Sequence, residues 1–244
     1  MKKNLYLLRH GQTLFNSKHL ISGWSDSPLT EKGIEQAKRA GLFFQNKGIH
    51  FDHLYCSDLH RAVTTSKLVE PNLAPEIKQP LREWFFGYYE AERVAIMPRA
   101  PFGDYFCQFG GEAQSTVRDR MFNCIHDIME QDDTECVLVV SHGRSCKEFY
   151  DAVLGEAANP NDKVPGNCGA IHFSYEDGKF SVVDLFTQED YAQELQLPEI
   201  DQLISELDRT DNGQNARGRF RNSPESTPLL VGHFHLNRRH GPYS

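Results

Sequence analysis

Two apolar runs in this chain end in an imidazole: Leu5 to Leu8 leads into Arg9-His10-Gly11, and "CVLVV" leads into Ser141-His142-Gly143. A third run, "FDHLYCS", is followed within a few residues by Arg61. Should these ends converge, two guanidinium groups and two imidazoles would share one place. That set repels a metal cation, whose sites are built from carboxylates, thiolates and neutral imidazoles. It suits a phosphoryl group. Guanidinium forks bind phosphoryl oxygens bidentately and stay charged, and a histidine among them serves as nucleophile or proton carrier. Gly11 and Gly143 would let the backbone approach such a ligand closely. The expectation is a site with no metal and no cofactor.

For these groups to meet, the strands that carry them must end at one sheet edge. In open α/β sheets ligands bind at the carboxyl ends of parallel strands, where loops lead into helix N-termini. The rest of the chain supplies such a sheet. After Thr30, a helix N-cap, the residues Ile34, Ala37, Gly41 and Phe44 fall on one helical face, and Gly48 closes the segment. "FDHLYCS" at 51–57 reads as a strand and "DLHRAVTTSKLVE" as a helix stopped by Pro71. Val117, Met121, Cys124 or Ile125, and Ile128 mark another helix; "CVLVV" is a second buried strand and "KEFYDAVLG" a helix ending at Gly155. "AIHFSYEDGKFSVVDLF" predicts a hairpin around Asp177-Gly178. Strands alternating with helices indicate an α/β fold with a mostly parallel central sheet covered on both faces. The aromatic, aperiodic stretch before residue 112 reads as a lid over the site.

Composition narrows the function classes further. With 244 residues and 39% apolar composition the chain can bury one large core with an appendage. A formal charge of −8 gives no global reason to bind nucleic acid or an anionic membrane. No run approaches the ~18 apolar residues of a membrane span, and Leu5 to Leu8 is too short for a signal-peptide core. A cytoplasmic protein is expected. Its six scattered cysteines read as reduced, mostly buried thiols.

Six stretches in series, "LLRHGQTLFN", "SGWSDSPLTEKGIEQA", "YCSDLHRAVTT", "LREWFFGYYE", "GGEAQS" and "VVSHG", resemble the motifs of the histidine phosphatase superfamily, in its phosphoglycerate mutase-like branch. The resemblance covers about residues 3–187. It implies a three-layer α/β/α sandwich with a small cap insertion at about 88–111, forming a catalytic domain over residues 1–187. The remainder, 188–244, is expected to be a polar extension, partly helical and then disordered. The resemblance further implies that His10 is the nucleophile that becomes phosphohistidine, and that Arg9, Arg61 and His142 form the phosphate pocket. Asn16 matches a further phosphate contact, Ser22 and Gly23 the substrate-proximal turn, and Glu83 the acid that protonates the leaving oxygen.

The stretch "EWFFG" differs from the "ERHYG" of cofactor-dependent mutases, and the insertion is shorter than theirs, which argues against glycolytic mutase activity. The function this implies is metal-independent hydrolysis of small phosphate monoesters. A phosphomutase and a non-catalytic phospholigand-binding module are the alternatives; the module would not need a His10/Glu83 pair. Several roles stay open at this level. Glu90 or Glu112 could be the acid; Ser57 orients His10 or caps a helix; Arg144 and Lys147 extend the positive pocket or solvate a helix. Trp84, Phe85, Phe86, Tyr88 and Tyr89 read as cap core more than substrate platform. The substrate and the oligomeric state are not legible.

Overall fold

A computed structural model describes residues 2–159 and 166–205. The polar run after Asp208, with the His233-Phe234-His235 triplet, lies outside the described residues.

Six strands form one sheet in the order β3-β2-β4-β1-β5-β6. β1 (Lys3–Arg9), β2 (His53–Cys56), β3 (Glu76–Ile77) and β4 (Cys136–Ser141) run parallel; β5 (Ala170–Glu176) and β6 (Lys179–Phe186) are an antiparallel hairpin added beside β1. The hairpin turns at Asp177 and Gly178, both with positive φ (51° and 75°), the geometry of the two-residue turn whose twist matches that of the strands.

Alternation along β1 explains the layers. Leu5 and Leu7 face one core with Val137 and Val139; Tyr6 and Leu8 face the other with Leu138 and Val140. The first core is closed by α4 (Gln114–Met129) and α5 (Gly143–Leu154), the second by α2 (Glu31–Asn46) and α3 (His60–Val69). Helix boundaries follow local chemistry. Thr30 caps α2 by accepting from Gly33 N, and Gly48, with φ of 67°, ends it. In α4 it is Ile125 that is fully buried, with Cys124 at the rim. α1 (Leu14–Ser17) is a single turn with a capping box between Thr13 and Asn16.

The insertion between β3 and α4 has no regular helix or strand, only short 3-10 turns. Trp84, Phe86, Phe102 and Phe106 from this segment are buried in the first core, ring against ring, so it is welded to the body by its aromatics. Tyr88 is exposed. Beyond the hairpin, α6 (Gln188–Leu195) lays Tyr191 into the second core and also buries Ala192. Arg39, buried in α2, donates to Pro198 O, and the compact unit ends at Ser205. All six cysteines are free thiols; Cys56, Cys146 and Cys168 are buried, Cys124 and Cys136 partly so, and Cys107 is exposed.

Candidate active site

β1 and β4 are neighbours in register, with Arg9 opposite Ser141, so the two His-Gly ends lie side by side. His10 N donates to Ser141 O at 3.0 Å, and the rings of His10 and His142 are 5.2 Å apart. Both histidines are buried.

His10 has a defined tautomer. Its Nδ1 lies 2.7 Å from Gly11 O, and only a protonated Nδ1 can donate to a carbonyl. Nε2 is left with the lone pair. Burial, then the nearby charges of Arg61 and Arg9, hold the His10 pKa well below its ordinary value. Burial, Arg61 and His10 do the same to His142. Both imidazoles are neutral at neutral pH, the state a nitrogen nucleophile requires.

Around them lie buried polar atoms with no partner among the described residues: Arg9 Nε, Arg61 Nε, Ser22 Oγ and both ring nitrogens of His142. An orphaned buried polar atom costs about 1–3 kcal/mol, so five in one place mark a site completed by a ligand. Three of the five come from cationic groups or hydroxyls that donate to oxygen, and His142 donates from whichever nitrogen carries its proton. The missing partner is therefore an oxyanion.

Glu83 stands at the opposite extreme. Its Oε1 accepts from Trp84 N and Ser145 N and its Oε2 from Arg144 N, while the one proton of Ser145 Oγ is shared between Arg82 O at 2.7 Å and Glu83 Oε1 at 3.1 Å. His142, the N-cap residue of α5, makes no side-chain cap bond; Glu83 caps that helix from another segment. Its carbonyl is held in turn by Trp24 Nε1 and Arg120 Nη2. The carboxylate thus stands over the first turn of α5, beside His142 and within electrostatic reach of Arg9.

The other candidate acids are committed elsewhere. Glu112 is in a salt bridge with Arg120 and accepts from Phe85 N. Glu90 accepts from Trp24 N, Ser25 N and Phe86 N, clasping the 22–25 loop to the insertion. A Cβ at Gly23 would stand 1.9 Å from Glu90 Oε1, so the clasp explains the glycine.

Some expected residues do other work. Both terminal nitrogens of Arg61 are spent on the same loop, on the carbonyls of Ser22, Gly23 and Ser25 and on Asp26. Only its Nε remains for a ligand, so Arg61 is as much a buttress as a phosphate contact. Gly11 is close-packed against protein rather than substrate: a Cβ there would meet Gly33 O at 2.5 Å. Gly143 makes room for Arg9, since its Cβ would lie 3.2 Å from Arg9 Cζ. Asn16 spends its oxygen on Thr13 N and on Asn167 Nδ2, which also donates to His10 O. Ser57 Oγ accepts from Leu59 N in a local turn just ahead of α3, whose N-cap residue Leu59 has no side-chain cap. Lys147 is buried and paired with Asp151.

Sequence reasoning missed Thr65, Asn167, Asp26 and Ser145. Thr65 accepts from Gly11 N and donates to Arg61 O, joining the strand end to α3. None of the four stands at a strand end or in a recognisable spacing.

A family model described as histidine phosphatase superfamily (branch 1) matches residues 5–188. The chain belongs to that superfamily. Among its relatives, an adenosylcobalamin/alpha-ribazole phosphatase of Escherichia coli is 29% identical over 74% of this chain and 89% of its own length. A 2,3-bisphosphoglycerate-dependent phosphoglycerate mutase of Treponema denticola is also 29% identical, over 54% of this chain and only 52% of the relative. A solved phosphoglycerate mutase from Bacillus anthracis superposes with a TM-score of 0.69 at 27% identity, covering 79% of this chain and 96% of that one. Histidine phosphatases and mutases thus share this architecture, and the neutral, lone-pair-bearing His10 stands at the strand end that opens the matched region.

Proposed function

We propose that this chain is a metal-independent histidine phosphatase that hydrolyses small phosphate monoesters in two displacements. His10 Nε2 attacks phosphorus in line, forming the N–P bond as the ester P–O bond breaks. Arg9, Arg61 Nε, Ser22 and His142 hold the equatorial oxygens, and the two guanidinium charges are worth most in a site that excludes water. Glu83 gives its proton to the departing oxygen, then takes one from the water that cleaves phosphohistidine. The protons balance over the cycle, and Glu83 ends as it began.

The observation that carries this reading is the set of orphaned donors around a His10 whose tautomer exposes Nε2 as a base. Cationic side chains supply the charge that a metal ion would bring. Hydrolysis of a panel of phosphate monoesters should survive exhaustive chelation; restoration of a chelator-abolished activity by zinc or magnesium would refute it.

A phosphomutase is the second reading, favoured by the mutases among the relatives. It differs in whether phosphohistidine outlasts the first product until a second acceptor arrives. Interconversion of phosphoglycerates faster than phosphate release would establish it. A cytoplasmic location and a small-molecule substrate accompany the proposal. Among the described residues no helix is long and apolar enough to cross a membrane.

A further inference from the structure

Glu83 stands on a stretch with little structure of its own: a 3-10 turn, Gln79–Leu81, followed by irregular chain. Carbonyls in such a stretch need partners from elsewhere. Side chains supply them in series. Ser141 Oγ donates to Leu81 O at 2.8 Å, Ser145 Oγ to Arg82 O at 2.7 Å, and Trp24 Nε1 to Glu83 O at 2.9 Å.

Arg120, on α4, does more than any of these. A guanidinium has five N–H donors, and Arg120 makes five hydrogen bonds. Nη1 donates to Pro80 O at 2.6 Å and Arg82 O at 2.7 Å, and Nη2 to Glu83 O at 2.9 Å. The other two go to Glu112, from Nε at 2.9 Å and from Nη2 at 3.0 Å. Glu112 in turn grips the next residues, its Oε2 accepting from Phe85 N and its carbonyl from Trp84 Nε1.

The carboxylate and the main chain of Glu83 are thus held by different groups. In the proposed cycle the carboxyl gains and loses a proton, so its bonds from Trp84 N, Arg144 N and Ser145 N strengthen and weaken at every turnover. The bonds to its main chain do not change. We infer that Arg120 is a positioning residue for the general acid: it fixes the main chain at Glu83, so that the carboxyl keeps its place against the leaving oxygen in both charge states. The inference rests on Glu83 being that acid, as the proposed function has it. Lysine cannot do the same work, because its donors radiate from one point and do not form a planar fork.

The test compares two esters. Arg120→Lys keeps the positive charge, which also reaches His142, and removes only the fork. On ethyl phosphate its kcat/KM should fall roughly 10–100-fold, the effect of a misplaced catalytic group, and far less on nitrophenyl phosphate, which barely needs the proton. Inhibition by inorganic phosphate should not change. Added to Glu83→Gln, Arg120→Lys should cost nothing further on ethyl phosphate, since no acid is left to position. Should Arg120→Lys not fold, Glu112→Gln weakens the same clamp and should show the same selective loss, smaller in size. Equal losses on both esters, additive losses in the double variant, or loss of the fold in both variants would overturn the inference. Failure of the catalytic reading looks different: Glu83→Gln alone would lose equally on the two esters, and the inference would fall with it.

Discussion

Around His10 the protein buries polar atoms and leaves them without partners, whereas around Glu83, a few residues from His142 in space, it supplies a donor to almost every lone pair. In the proposed reaction the end around His10 takes the phosphoryl group, which is the same in every substrate. The end that holds Glu83 is complete in itself. On the proposed function the contrast separates two tasks: the first end binds the phosphoryl oxygens, and the second handles the proton of the leaving oxygen.

Glu83 gives the sharpest way to break this comparison, because a general acid matters in proportion to how badly the leaving oxygen needs a proton. Glu83→Gln should lose on the order of 10²–10⁴-fold in kcat/KM on an alkyl phosphate and far less on nitrophenyl phosphate, whose phenolate leaves unaided. With the aryl ester a burst of nitrophenol should precede slow turnover, as phosphohistidine waits for a base. Equal losses on both esters without a burst would make Glu83 only the cap of α5.

Arg61 tests the other end. Arg61→Ala removes both a phosphoryl donor and the buttress of the 22–26 loop, so turnover should fall roughly 10²–10³-fold, by similar factors for all substrates, with weaker inhibition by inorganic phosphate. A loss confined to one substrate would place Arg61 among the specificity residues.

A third consequence is proton linkage. The folded pKa values of His10 and His142 lie below those of the unfolded chain, so on acidification the unfolded state takes up protons first. Their contribution to stability is present above the unfolded value of about 6.5 and is lost as pH falls below it. An anion among them reverses the shift. Phosphate should therefore bind with proton uptake, seen as a buffer-dependent heat in calorimetry, and should rescue stability on the acid side. Phosphate binding with no proton uptake would mean that the histidines do not face the anion.

The smallest expected effect is that of Ser22→Ala, which deletes one orphaned hydroxyl. It should weaken phosphate by a few-fold, up to about 10-fold, the value of one neutral hydrogen bond, while slightly raising the stability of the free protein by removing an unsatisfied group. Denaturation midpoints with and without phosphate read both.

What could be read from the sequence divides along the same line. Strand ends declare themselves, because an apolar run stopped by Arg-His or Ser-His has no packing reason to end that way, and β1 beside β4 then brings the histidines together. The layers follow from alternation, as Leu5 and Leu7 against Tyr6 and Leu8 show. The interior bonding is not legible. That Glu83 caps α5, that Glu90 clasps the loop at Gly23, and that Arg61 spends its terminal nitrogens on carbonyls all depend on backbone atoms far away in the chain. Side-chain types do not encode such partners. The aromatic insertion hid its packing for the same reason: Trp84, Phe102 and Phe106 fit no helical or strand period, and only the tertiary fold makes them one core.

The most direct measurement concerns His10 itself. Enzyme mixed with a ³²P-labelled monoester and quenched should carry label in an acid-labile, base-stable linkage on a peptide containing His10, and His10→Ala should carry none. Label that persists in the His10→Ala protein, or an acid-stable phosphoester on another side chain, would contradict the account.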